Sequence, residues 1–304
     1  MAKRIKTSDL SYEQVQDLKA TLWSGPRVSF AEGPSPLAAG PEGGVAFAAA
    51  AASAVSGPTI LAEGDSWFDY PPGLDLLDQL KLQYRYDIVS LAKAGDTIEN
   101  MGFGTQYDRN FGRTDPSINV LIAQVGRIRP RVILLSGGGN DVAGEEFAGF
   151  LNHADSGLPP LRMAYVDEVI QGVIRRAFER IAAEIWKIDS GIAIVAHGYG
   201  YPIPDGRAVF NFPFGYRFLG PWLRPALVSK NITKVSDGKE ILKTVIDKFN
   251  DMIAGLQSSL GGPFHHVDFR KTVRPGDWVN ELHIDNETSA RCAEKIHQVI
   301  KPLV

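Results

Sequence analysis

The apolar residues of this chain fall into two alternating kinds of run. Short runs, most of them continuous and rich in Val, Ile and Leu, occur at Thr59–Ala62, Asp87–Leu91, Arg131–Leu135, Ile192–Ala196 and His265–Phe269. Unbroken apolar stretches of this length predict strands covered on both faces, as in a parallel sheet. Between them the apolar positions recur three and four apart, the helical spacing. Leu74–Leu82 is the first such stretch, and Pro116–Val125 is the second, with Asp115 as its N-cap and proline in its first turn. The longest is Met163–Ile188, where Val166, Val169, Ile170, Val173, Ile181 and Ile185 form a stripe. Glu240–Leu260 carries Ile241, Val245, Phe249, Met252 and Leu256 in the same way, and Ser289–Ile300 closes the chain. Strands alternating with helices predict βαβ units, right-handed crossovers and one mainly parallel sheet with helices on both faces, in a single domain over residues 58–304.

Ahead of that pattern lies a different kind of sequence. Residues 11–22 predict a short amphipathic helix, with Ser11 and Gln14 as a capping box and Tyr12, Val15, Leu18 and Leu22 at helical spacing. From Gly25 to Gly57 the chain is rich in Gly, Pro and Ala and reads as a strap or linker, with room for a helix at Ala48–Ala52. No chemistry is assigned to residues 1–57.

Composition narrows the function classes. The 304 residues balance 32 Lys and Arg against 35 Asp and Glu, a net charge of -3. Without a cationic excess to neutralise phosphates, nucleic acid is not an expected partner. The single cysteine, Cys292, rules out an intrachain disulfide and a multi-cysteine metal site, and it reads as a small buried residue of the last helix. Met1–Lys19 lacks the apolar centre of a secretory signal, and no run reaches the roughly 18 apolar residues of a membrane helix. The expectation is therefore a soluble cytoplasmic protein with no membrane span.

Four blocks carry the polar residues, most of them where strands should end. Gly64-Asp65-Ser66 follows the first strand and Ala94-Gly95-Asp96-Thr97 the second. Gly137-Gly138-Gly139-Asn140-Asp141 follows the third, and Asn280-Glu281-Leu282-His283 precedes the last helix. Together they supply the parts of acyl transfer. Ser66 is a nucleophile that needs a base, and His283 can take its proton and return it to a leaving group. The Ser66 and Gly95 amides and the Asn140 side chain are suitable donors for an oxyanion. Glycine at 95 keeps any Cβ out of a substrate's way.

The order and placement of Ser66, Gly95, Asn140 and His283 resemble the SGNH (GDSL) hydrolase family, whose marker residues are Ser, Gly, Asn and His in that order. The resemblance spans roughly residues 58–300. It implies a flavodoxin-like three-layer α/β/α fold and a cofactor-independent serine esterase of carboxylesterase or lipolytic type, acting on small to medium acyl esters. Thioesters and carbohydrate O-acetyl groups are further substrate classes it implies. The chain departs from the family at one position. The acid three residues before the histidine is replaced by Asn280, which can orient an imidazole but cannot stabilise its cation. Asn280 itself, Asp277, Glu281 or a backbone carbonyl are candidates for the acid's place, while Asp285 with Asn286 reads as the cap of the last helix. The missing acid also leaves open a weakened, flavodoxin-like binding module.

Other residues offer less. His197 follows a strand and could line the site or simply fill a structural role. His265 and His266, adjacent in a strand, face opposite sides, and His153 stands alone in a polar loop. No HExxH, P-loop or nucleotide-binding GxGxxG pattern occurs, so neither a metal nor an organic cofactor is expected. Phe210–Trp222 is an aromatic connection that could wall a pocket or cover the core, and Gly144–Leu161 reads as a rim near Asn140.

Overall fold

The structure is a computed structural model describing residues 7, 10–23, 60–108, 112–113, 116–211 and 217–304. Its centre is a sheet of five parallel strands, β1 (Ile60–Glu63), β2 (Ile88–Ser90), β3 (Val132–Leu135), β4 (Ala193–His197) and β5 (Phe264–Val267). They lie in the order β2-β1-β3-β4-β5, the doubly wound flavodoxin-like arrangement. Ile60 pairs with Ile88 on one side and Val132 on the other, Ile133 with Ile194, and Ile194 with Phe264. Every residue of β1, β3 and β4 is buried, which is why those strands read as unbroken apolar runs.

Among the described residues the α-helices are α1 (Tyr12–Leu22), α2 (Leu76–Tyr84), α3 (Ile98–Phe103), α4 (Ile118–Ile128), α5 (Met163–Asp167), α6 (Arg175–Ile188), α7 (Arg224–Ser229), α8 (Val235–Ser259) and α9 (Asn286–Ile300). One layer groups α1, α2 and α9, and the other groups α3, α4, α6 and α8. Between α5 and α6 the backbone continues as a π segment, Glu168–Ile174. The stripe on this long element is Val166, Ile170, Ile174, Phe178, Ile181 and Ile185; Val169 and Val173 lie at its edge rather than in it. The wider turn of the π segment keeps residues four apart on the inner face. Helix α4 starts at Ile118 after Ser117, whose hydroxyl makes no capping bond. The expected cap Asp115 and the expected helix at Ala48–Ala52 lie outside the described residues, as does most of the aromatic stretch after Phe210. Among the described residues no helix is long and apolar enough to cross a membrane.

Helix α1 has the predicted Ser11–Gln14 capping box and docks on α2 through a buried charge. Lys19, 7% exposed, places its ammonium 3.1 Å from Asp75 and 2.7 Å from Asp78. The same nitrogen donates to the carbonyls of Tyr70 and Gly73, so α1 ties down the segment that follows Ser66. Removing one partner of a buried ion cluster strands the others. Lys19→Met is therefore expected to lower unfolding stability by about 3–5 kcal/mol, read as a drop in urea midpoint. A loss below about 1 kcal/mol would show the cluster to be dispensable.

Candidate active site

In this strand order the chain reverses direction beside β1, and the crevice at the carboxyl ends of β1 and β3 is where such sheets bind ligands. Gly64 follows β1 with no space for a side chain, since a Cβ there would sit 2.7 Å from the Ser136 Cβ. The turn that presents Ser66 is then held by Asp65, which is buried. Its carboxylate accepts from the Trp67 N–H at 2.9 Å, the Ser136 hydroxyl at 2.7 Å and the Tyr199 hydroxyl at 2.7 Å. Tyr199 in turn accepts from the Gly139 N–H at 3.3 Å, so one carboxylate links the turns after β1, β3 and β4.

The loop before α9 brings His283 to Ser66, with Nε2 2.8 Å from the serine Oγ. Its other nitrogen, Nδ1, is 3.0 Å from Asn280 Oδ1. That oxygen also accepts the N–H groups of Leu282 and His283, each at 2.9 Å, while the Asn280 Nδ2 donates to Tyr70 Oη at 3.1 Å. These partners determine which end of the amide is oxygen. An amide oxygen only accepts, so Nδ1 carries the proton and Nε2 faces the Ser66 hydroxyl as an acceptor. Asn280 thus imposes the tautomer that an acid would impose, without supplying a negative charge.

Aromatic rings enclose the imidazole. Tyr70 stacks on it with centroids 4.1 Å apart, and Trp222 meets it edge-on at 5.8 Å. The ring is 7% exposed, and its burial pushes its pKa down to about 3. Tyr70 is half-buried, and the loss of water around it pushes its phenol up to about 12 against the opposing bond from Asn280.

Of the other two expected oxyanion donors, Asn140 lies at the cavity beside Ser66, while Gly95 lies outside its lining, two residues past Lys93, whose N–H donates to the Gly64 carbonyl at 2.8 Å. Gly95 is exposed with φ +82°, a conformation that favours glycine, and no neighbour lies near its would-be Cβ. Asn140 donates one amide hydrogen to the Asp96 carbonyl at 2.9 Å and borders the cavity that Ser66 also borders. Asp141 accepts the N–H groups of Ile98 and Glu99 at 2.9 and 3.0 Å, and Asp69 accepts that of Ala94 at 3.1 Å. Among the described residues no protein acceptor takes the N–H of Ser66 or Gly95. The Gly-rich turn after β3 is tight: Gly138 has φ +102°, and a Cβ on it would lie 2.4 Å from a Phe249 ring carbon. Gly138→Ala is expected to cost about 2–4 kcal/mol of stability, measured by chemical unfolding.

The alternatives for the acid's place are occupied elsewhere. Asp277 pairs with Arg291 at 2.5 Å and accepts the Arg274 N–H. Asp285 caps α9 by accepting from the Thr288 N–H at 2.7 Å. Glu281 is fully buried and points away from the imidazole into a ring of backbone amides. It accepts from Gly206 at 2.9 Å, Trp222 at 2.6 Å, Leu223 at 2.7 Å and Arg224 at 3.0 Å. This carboxylate clamps the chain carrying Trp222 against the histidine loop. The sequence offers Glu281 only as a partner of His283; its real partners are amides 57 to 75 residues away.

His197 belongs to the core. Its Nδ1–H donates to the Gly198 carbonyl at 3.0 Å, its ring stacks on Phe269, and burial pushes its pKa down to about 4. Cys292 is buried in α9 as expected. The structure also reveals Glu63, buried at the end of β1, whose pKa burial and the nearby Asp96 push well up. Neither Glu63 nor the Asp65–Tyr199 link carries a local sequence signal, because each is defined by partners on distant strands.

No family model matches the chain, and no curated protein matches it. Among solved structures it is similar to Est24, a carbohydrate acetylesterase from Sinorhizobium meliloti, at 12% identity and TM-score 0.48, covering 82% of this chain and 100% of that one. It is also similar to a lipase, Lip_vut3, from a goat rumen metagenome, at 14% identity and TM-score 0.46, covering 80% and 97%. A family 3 carbohydrate esterase of Clostridium thermocellum gives 11% identity and TM-score 0.45, covering 80% and 95%. At such identities and scores the likeness says nothing about the chemistry of this chain, which rests on its own geometry.

Proposed function

We propose that this chain hydrolyses carboxylic esters through Ser66. The observation that carries the reading is the relay from Ser66 Oγ to His283 Nε2, 2.8 Å, and from His283 Nδ1 to Asn280 Oδ1, 3.0 Å. Ser66 Oγ attacks the ester carbonyl while Nε2 takes its proton. The charge that develops on the carbonyl oxygen is met by the Ser66 and Gly95 N–H groups and the free hydrogen of the Asn140 amide. The tetrahedral intermediate collapses as Nε2–H protonates the alcohol oxygen, leaving an acyl-serine. Water then repeats the sequence, giving its proton to Nε2 and releasing the acid and free Ser66.

A fluorophosphonate tests the nucleophile directly, since it phosphonylates an activated serine and peptide mapping finds the site. Label on Ser66 is expected, and label elsewhere or none would remove the assignment. Asn140→Ala should lower kcat about 10²–10³-fold with little change in KM, because the donor acts on charge present only in the transition state. A rise confined to KM would place Asn140 in substrate binding instead. A second reading, a binding module that has lost turnover, draws on the missing carboxylate beside His283. It predicts no dependence of ester hydrolysis on Ser66.

A further inference from the structure

The crevice at Ser66 continues inward as a cavity bordered by Ser66 and Asn140 and walled by Val142, Phe147, Leu223, Leu242, Val245 and Ile246. These walls come from the segment after β3, the start of α7 and the middle of α8, and nearly all are buried. Tyr199 also borders it, but its hydroxyl is engaged by Asp65 and the Gly139 N–H. Trp278 also borders it with an indole N–H that has no partner, but most of the wall beyond the mouth is hydrocarbon. A sugar, with several hydroxyls, would lose more hydrogen bonds to water there than this wall can return, whereas an alkyl chain would gain from leaving water.

We infer that this cavity is an acyl-chain site for unbranched aliphatic acids of about four to six carbons, an inference that rests on Ser66 being the nucleophile. The direction of the substrate follows from the proton. The leaving alcohol must lie against His283 Nε2 to receive its hydrogen, and His283 is not part of the cavity wall, while Ser66 and Asn140 are. The acyl carbon therefore faces inward and the alcohol faces the open side near Tyr70. The chain length follows from the space. The cavity has a volume of about 60 Å³ for water-sized groups. One such group needs about 10–15 Å³ of that space, and a methylene is close to water in size, so roughly four to six fit.

The test uses p-nitrophenyl acetate, butyrate, hexanoate and decanoate with the full chain. Each buried methylene should raise kcat/KM about fourfold, so hexanoate should exceed acetate by about 10²-fold and decanoate should give no further rise. Acetate esters of ethanol, butanol and hexanol should differ from one another by less than about threefold. Val245→Phe fills the cavity and should cut the hexanoate-to-acetate ratio at least about tenfold. Leu242→Ala enlarges it and should move the optimum to longer chains. The ratio is taken on one preparation, so a fraction of misfolded variant does not alter it. Acetate preferred by the wild type, an alcohol series steeper than the acyl series, or a ratio unmoved by both variants would overturn the inference. Equal acetate turnover by the wild type and Ser66→Ala would instead sink the nucleophile assignment on which the inference depends.

Discussion

Replacing Ser66 by alanine is expected to reduce kcat/KM for p-nitrophenyl acetate by about 10³–10⁵-fold. In a full Ser–His–Asp triad, loss of the serine costs about 10⁶ and loss of the acid alone about 10⁴, the latter including the error of tautomer. Here the acid is already absent, which lowers the ceiling, but Asn280 Oδ1 holds the correct tautomer, which keeps the wild type well above the floor. The range lies between those limits. The variant should fold normally, because Ser66 Oγ contacts only His283 among the hydrogen-bonding groups. Wild-type and variant rates that coincide would favour the binding-module reading.

Asn280→Leu is expected to lower kcat about 10³-fold, measured on the same ester at pH 7. The leucine removes the acceptor for Nδ1–H, frees the ring to adopt the unproductive tautomer, and leaves the Leu282 and His283 N–H groups unpaired. Asn280→Asp should act the other way. It keeps the acceptor geometry and adds a charge against the imidazolium, a gain of roughly tenfold in kcat. The two variants are separated best by pH. In the wild type, burial pushes the His283 pKa down to about 3, so the base remains neutral through the weakly acid range. The acid limb of kcat/KM should then fall well below the ordinary histidine range, near 6.5. A carboxylate at 280 favours the charged ring, so its pKa rises and the acid limb moves toward neutrality. A wild-type limb already near 6.5, unmoved in Asn280→Asp, would show that the residue at 280 does not govern His283.

Much of this architecture is visible in the residue order. The fully buried strands β1, β3 and β4 advertise themselves because hydrocarbon on both faces leaves no alternation. The segments after β1, β2 and β3 carry Ser66, Gly95 and Asn140, and local turn chemistry explains their glycines. Short elements were less legible. Helix α3 has six residues and lacks a full apolar stripe, and its amino end is capped partly by Asp141 from another segment. The role of Glu281 was not legible at all, because a carboxylate reveals its partner only when the chain folds back on it.

What the sequence determines alone is the set of local preferences: apolar runs for buried strands, periodic stripes for helices, glycine turns that offer a hydroxyl and amides, and a polar loop that offers an imidazole. These are properties of neighbours along the chain and need no knowledge of the whole. Only the tertiary structure decides that His283 faces Ser66, that Asn280 rather than Asp277 or Glu281 accepts the hydrogen bond from the imidazole Nδ1–H, and that burial rather than a nearby charge governs the histidine. Orientation, tautomer and desolvation depend on groups far apart in sequence brought within about 3 Å, the range over which a hydrogen bond can choose between them.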